Sequence, residues 1–185
     1  MITWQQYVKY MKRYLTFSNS ELVQMACVCT AMLILLLICH ARVGGLNGAV
    51  KKGGVSFAFA IWTSFIIGVT LLNRQPLQYH LVRVDVLNII KNIFNGSYFE
   101  QYHAISNILL FVPYGLLLPF NITWCKKWWK HMLVCFASSM LVETGQYVLF
   151  LGTCDAIDLI TNLLGGIAGY IVYRGIGFVA KCGTV

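Results

Sequence analysis

The stretch DAIDLITNLLGGIAGY, residues 155–170, places two aspartates and an asparagine at the mouth of an apolar, glycine-rich run. The three polar residues follow one another at spacings of three and four, so they share one face of a helix. The same face continues with Gly165 and Gly169, a GxxxG pair that permits close helix packing in a membrane. A charge within a bilayer costs about 3 kcal/mol even on lenient insertion scales. The stretch therefore predicts a membrane helix whose polar mouth has a function.

The composition indicates an integral membrane protein. Of its 185 residues, 58% are hydrophobic and 11% are charged, whereas soluble domains carry about 25% charged residues. The net charge of +8 is scattered singly or in pairs between apolar runs, which favours contact with anionic lipid and argues against nucleic acid. The seven cysteines include no CxxC motif, so neither a disulfide framework nor a zinc site is expected.

Five runs are each long and apolar enough to cross a bilayer, which takes about 20 residues. We therefore expect an all-α membrane protein of about five transmembrane helices, multi-pass in the cell membrane. The polar first twenty residues do not suggest a cleavable signal peptide. The runs cover residues 22–40, 55–72, 105–123, 131–151 and 157–179.

Before the first run, apolar residues recur at helical spacing with lysines and an arginine on the other side. This pattern predicts an amphipathic helix on the membrane surface. Ser18 and Glu21 then have the spacing of a capping box. We divide the chain into 1–54, an apparent addition of amphipathic helix and first span, and 55–180, a four-helix membrane domain. The apolar positions of the surface helix are Trp4, Val8, Met11 and Leu15.

The polar stretch 73–103 is too long for an ordinary connection, so it is expected to carry structure or function. Two alternatives stay open. Val86, Ile89, Ile90 and Ile93, with Val82 before them, suit an interfacial helix, whereas VRVDV alternates as a short strand would. Asn95–Gly96 marks a turn.

Alternation of the five spans sorts the polar residues to one side of the membrane. The other side receives the basic and aromatic segments KKGG and CKKWWK. Glu143 lies well inside an apolar run, and an ionisable residue there is a functional-site hypothesis. The candidate binding residues on the polar side are Arg74, Asn107, Glu143, Gln146, Asp155, Asp158 and Asn162, with His103 nearby.

The chemistry of this cluster has two interpretations. Glu143, Asp155 and Asp158 need a cation, a basic partner such as Arg74, or protonation to coexist in a low dielectric. An oxygen-rich cluster suits Mg²⁺ or Ca²⁺, and these three carboxylates are the candidate ligands. General acid–base catalysis by Glu143, with Asp158 as the second candidate, is equally compatible with the residues.

Three motifs resemble the VanZ-like family. They are NILLFVPYGLLLP at 107–119, E..Q at Glu143 and Gln146, and D..D...N...G from Asp155 to Gly166. The resemblance covers about residues 58–173 and implies a membrane protein linked to resistance to teicoplanin and lipoglycopeptide antibiotics. Pro113, Gly165, Gly166 and Gly169 are expected to be structural. In one departure from the pattern, Gly152–Thr153–Cys154 stand where the family often has an arginine.

These observations lead to two main functional hypotheses. The first is an accessory factor in antibiotic resistance or envelope maintenance, acting through the acidic cluster on a lipid-linked cell-wall precursor or a lipid-anchored polymer. The second is an intramembrane enzyme on lipid-linked envelope substrates, with Glu143 as acid/base. A transporter is less favoured, because no polar residues lead towards the basic side. The charges of the short loops favour an outside N-terminus and a cytoplasmic C-terminus, which turns the polar side outward.

Overall fold

The computed structural model describes Val8, residues 15–74 and residues 76–182. The predicted surface helix thus lies, but for Val8 and Leu15, outside the described residues. The helices are α1 (Asn19–Ile67), α2 (Val86–Phe94), α3 (Tyr98–Asn121), α4 (Trp128–Val148) and α5 (Ala156–Cys182), with a π-helical turn (Gly68–Leu72) after α1 and a 3-10 turn (Thr123–Lys126) before α4. Strands β1 (Leu81–Arg83) and β2 (Thr153–Asp155) pair in parallel.

Helix α1 is a hairpin of two antiparallel halves. Its 49 residues would extend about 74 Å if straight, more than twice the hydrocarbon thickness of about 30 Å. Gly45 breaks the helix with φ 63° and ψ −169°, a backbone conformation suited to glycine. Beyond it the chain returns, because Gly68 packs on the Met25 side chain. The predicted spans 22–40 and 55–72 occupy the two halves, and the expected connecting loop is helical except at Gly45.

The start of α1 confirms the predicted capping box. The Ser18 Oγ accepts a hydrogen bond from the Glu21 N–H at 3.4 Å, and the Ser18 N–H donates to the Glu21 carboxylate at 2.7 Å. These two bonds satisfy backbone donors that the first helical turn leaves without partners.

An all-α membrane architecture of about five spans is confirmed, with one qualification. In the described part of the chain, α1 with its π-helical turn, α3 and α5 are long and apolar enough to cross a membrane. Helix α4 has 21 residues but carries four buried polar side chains that lower its hydropathy: His131, Ser139, Glu143 and Gln146. It packs on α5 and presents these polar groups to the interior.

The tightest packing joins α3 and α5. A Cβ atom added at Gly165 would collide with the Ile108 carbonyl, and one at Gly169 would collide with the Val112 carbonyl. Gly115 of α3 lies against the backbone of Gly166 in the same manner. The two backbones therefore approach where small residues face each other.

Helix α3 contains Pro113 and Pro119 and still runs without a break from Tyr98 to Asn121. Proline removes a backbone donor and disturbs the preceding turn. In that turn the Trp62 indole N–H donates to the Leu110 carbonyl at 2.8 Å. The neighbouring half of α1 thus supplies a hydrogen-bond donor beside the proline, as membrane helices require.

The stretch 73–103 contains both of the alternatives that its sequence left open. Val82 lies in β1, and the helix begins only at Val86, where Asp85 caps it by accepting from the Asn88 N–H at 3.2 Å. The turn at Asn95–Gly96 is confirmed by a φ of 87° at Gly96. This segment lies over one end of the helices, where Arg83, Glu100 and His103 line a cavity.

Candidate functional site

A cavity of about 460 Å³ opens at the end of the molecule where α1 finishes and α3 and α5 begin. Both strands border it. Its walls combine two arginines, three carboxylates and a histidine with a few apolar side chains. They are formed by Asn73, Arg74, Leu77, Arg83, Phe99, Glu100, His103, Leu151, Gly152, Thr153, Asp155, Ile157 and Asp158.

Arg83 connects the long polar stretch to the start of α5. The register of the two strands places Arg83 opposite Asp155. Its guanidinium lies 3.2 Å from the Asp155 carboxylate and 2.7 Å from that of Glu100. The Arg83 side chain is 38% exposed and the two carboxylates are 10% exposed or less. The hydrogen bond to Glu100 raises the pKa of Arg83, so this cation stays charged between its two partners.

Asp155 caps α5. Its Oδ1 accepts from the Ile157 N–H at 3.1 Å, which satisfies a donor in the first helical turn. Its own N–H donates to the Glu143 carboxylate at 3.0 Å. Burial raises the pKa of Asp155 above its ordinary value, while the Ile157 N–H and Arg83 oppose that shift. The carboxylate is therefore a cap, an ion-pair partner and part of the cavity wall.

Beneath the cavity, the predicted amide side chains join helices to one another. The Gln146 Nε2 donates to the Thr70 carbonyl at 3.1 Å, and the Asn162 Nδ2 donates to the Ser139 Oγ at 2.9 Å. Glu143 and Gln146 are each 2% exposed, and none of these amide or Glu143 side chains lines the cavity. They form a buried layer that supports the site.

The predicted binding residues thus fall into two groups, those that line the cavity and those buried beneath it. Arg74, Asp155 and Asp158 line the cavity, whereas Glu143, Gln146 and Asn162 lie below it. Asn107 is half-buried, and its Nδ2 donates to the Thr161 hydroxyl at 3.5 Å, within interaction range of Asp158. The approach of Glu143 to the start of α5 follows from the short α4–α5 connection.

Arg74 does not form the ion pair that its position suggested. It lies within electrostatic range of Glu143 and Asp158, yet among the described residues it is in no salt bridge. Among the residues that the structure describes, its buried Nε has no hydrogen-bond partner, and neither has the Gln146 Oε1. A Cβ atom at Gly152 would lie 2.8 Å from Arg74 Nη1 and 3.4 Å from Gln146 Oε1, so glycine preserves the space between these groups.

A metal centre receives no support from this geometry. Within the described ranges, no three His, Cys, Asp or Glu side chains come together in a way that could hold a metal ion. The Glu143 carboxylate accepts from a backbone N–H, and that of Asp155 is paired with Arg83. The divalent cation stays a prediction.

Comparison with known proteins identifies the family of the chain. The model of the VanZ/LLP1 family matches residues 53–179, well over half of the chain. The chain belongs to the VanZ/LLP1 family. Protein VanZ of Enterococcus faecium is 31% identical over 114 residues, which cover 59% of this chain and 68% of that protein. No solved structure matches.

Two charged residues of the cavity could not be assigned to it from the sequence. Arg83 and Glu100 belong to the stretch 73–103, and no periodicity ties them to α5. The one available signal was the unusual length and polarity of that stretch. Arg83 also provides Asp155 with an arginine partner, although the motif before Asp155 has none.

Proposed function

We propose that this VanZ/LLP1 protein is a multi-pass accessory protein of the cell envelope that lowers susceptibility to teicoplanin and related lipoglycopeptides. The cavity would face outward and bind the polar head group of a lipid-linked cell-wall precursor. The observation that carries the proposal is the cavity, which lies at one end of the long apolar helices and is lined by charges of both signs. Family membership supports the link to resistance.

The chemistry of the walls indicates how such a head group would bind. Arg74 has a buried donor without a partner in the described part of the chain, and guanidinium groups bind phosphate and carboxylate oxygens well. Asp158 lines the same cavity, and a carboxylate oxygen can accept hydrogen bonds. A ligand with an anionic group and a nearby amine, amide or hydroxyl donor would meet both residues. Arg83 is held by Glu100 and Asp155, so it shapes the wall.

The position of Glu143 does not favour the enzymatic alternative. An acid/base must come within hydrogen-bond reach of the reacting group, whereas Glu143 is 2% exposed and is no part of the cavity wall. Its contact with the Asp155 N–H suits a positioning residue that fixes the start of α5.

The test is drug susceptibility of a susceptible host that produces the chain. Asp158→Asn keeps the shape of the side chain and removes the charge, so we expect the teicoplanin inhibitory concentration to return to that of the host alone. Lys91→Gln, exposed on α2 and outside the cavity, is the matched control and keeps the protection. Immunoblots of membranes show whether both variants accumulate equally. Full protection by Asp158→Asn at equal abundance would contradict the proposal.

A further inference from the structure

The end of the molecule opposite the cavity carries charge of one sign. Eight of the 14 lysines and arginines lie on segments at that end, and none of the six aspartates and glutamates does. Hydrogen bonds from Ser56 and Tyr170 to the α3–α4 region confirm that these segments meet. The basic residues there are Arg42, Lys51, Lys52, Lys126, Lys127, Lys130, Arg174 and Lys181.

Two hollows at this end share a pair of cations. One, of about 530 Å³, lies beside the C-terminal part of α5 and is lined mainly by apolar and aromatic side chains. The other, of about 580 Å³, includes Trp128 and Trp129. Lys126 and Arg174 line both hollows. Charge thus concentrates at the boundary between two partly apolar recesses.

The framework around these two cations is held in place. The Tyr170 hydroxyl donates to the Lys126 carbonyl at 2.7 Å, which fixes the 3-10 turn on α5. Lys130 Nζ lies 4.4 Å from the centre of the Trp124 ring and 5.2 Å from that of Trp129, so its charge already has partners. By contrast, Lys126 and Arg174 are exposed and belong to no salt bridge in the described part of the chain.

We infer that the two hollows form a binding site for an anionic phospholipid, with its phosphate between Lys126 and Arg174. Basic pockets between membrane helices on the cytoplasmic side suit anionic head groups, and tryptophans favour this depth of the membrane. An acyl chain would continue along an adjoining apolar recess of α5 that includes Ile176 and Val179. A soluble polyanion has no apolar part that could contact these apolar walls. This lipid site shares with the proposed function the orientation of the chain in the membrane, and it needs no ligand in the cavity.

The experiment is lipid retention by the purified full chain, measured by native mass spectrometry in detergent. Phosphatidylglycerol and phosphatidylcholine of equal chain length are supplied in turn. We expect retention of phosphatidylglycerol over phosphatidylcholine. We expect the double variant Lys126→Gln/Arg174→Gln to weaken phosphatidylglycerol binding about thirty-fold, from about fivefold for each basic residue near the surface.

The matched control is Lys51→Gln/Lys52→Gln, which removes the same charge from the same face outside the hollows. It is expected to keep nearly all of the binding, and the conservative Lys126→Arg to keep it as well. Thermal unfolding without added lipid identifies a folding defect. Equal retention of both lipids, equal loss in the two double variants, or undiminished binding by Lys126→Gln/Arg174→Gln would overturn the inference. Binding of soluble polyphosphate in place of lipid would also overturn it.

Discussion

Asp155 shows how much of this site depends on a single residue. Its carboxylate caps α5 and pairs with Arg83, and its N–H holds Glu143. The sequence can indicate the cap and the approach of Glu143, since both follow from local spacing and a short turn. It did not predict Arg83, because the partner lies 72 positions away along the chain and is brought in by strand pairing.

Arg83→Gln leaves the buried carboxylates of Glu100 and Asp155 without their cation. Because Arg83 is partly exposed and water screens the pair, we expect a loss of only about 1–2 kcal/mol in the free energy of unfolding. Arg83→Lys should lose less, since one ammonium can still reach a carboxylate. Thermal unfolding in detergent measures both. A double-mutant cycle with Asp155→Asn should show coupling, and additive effects would contradict the ion pair.

The pKa of Asp155 makes stability depend on pH. Burial raises this pKa above its ordinary value of 3.8, so the folded protein binds the proton more tightly than the unfolded chain. Its contribution to stability is complete below 3.8 and is lost as pH rises through the higher folded pKa. Asp155→Asn still offers an oxygen to the Ile157 N–H and cannot titrate. As the pH rises from acidic to neutral, the temperature midpoint of unfolding should therefore fall less steeply in this variant than in the unmodified protein. An unchanged slope would exclude Asp155 as the source.

Among the elements, the pairing of α3 with α5 decides whether the cavity forms, since both helices begin at its wall. The GxxxG spacing predicted close packing of α5, but it could not predict which helix packs against it. That partner is α3, whose Gly115 meets Gly166 across the interface. The polar stretch 73–103 was ambiguous for a physical reason, since five or six residues serve either a strand or the start of a helix.

Gly169→Ala places a methyl group against the backbone of α3, which cannot move aside as a flexible side chain would. We expect destabilisation by about 1–3 kcal/mol and loss of the cavity's function. Gly175→Ala on the same helix meets nothing within 4 Å and should be neutral or stabilising, because alanine favours helix by about 1 kcal/mol. Thermal unfolding of the pair measures the contrast. Equal behaviour of the two variants would contradict the packing.

For the whole molecule, the decisive feature is the separation of charge between its two ends. All six acidic residues gather at the cavity end, and eight of the 14 basic residues lie at the other. Alternation of apolar runs was enough to predict this sorting. The hairpin in α1 was only half predicted, because its two spans were evident while the helical path to Gly45 was not. The short hydrophilic segment between the two spans is typical of a loop, but a helix that extends beyond the bilayer has the same polar composition.

The central claim is that the polar cavity faces outward and the basic end faces the cytoplasm. Single cysteines at positions 97, 128 and 153, in a variant free of the native cysteines, test it directly. An impermeant thiol reagent is applied to intact cells, with permeabilised cells as the control for reactivity. We expect labelling at 97 and 153, beside the cavity, and at 128 only after permeabilisation. Labelling of 128 alone in intact cells would place the cavity in the cytoplasm and contradict the account.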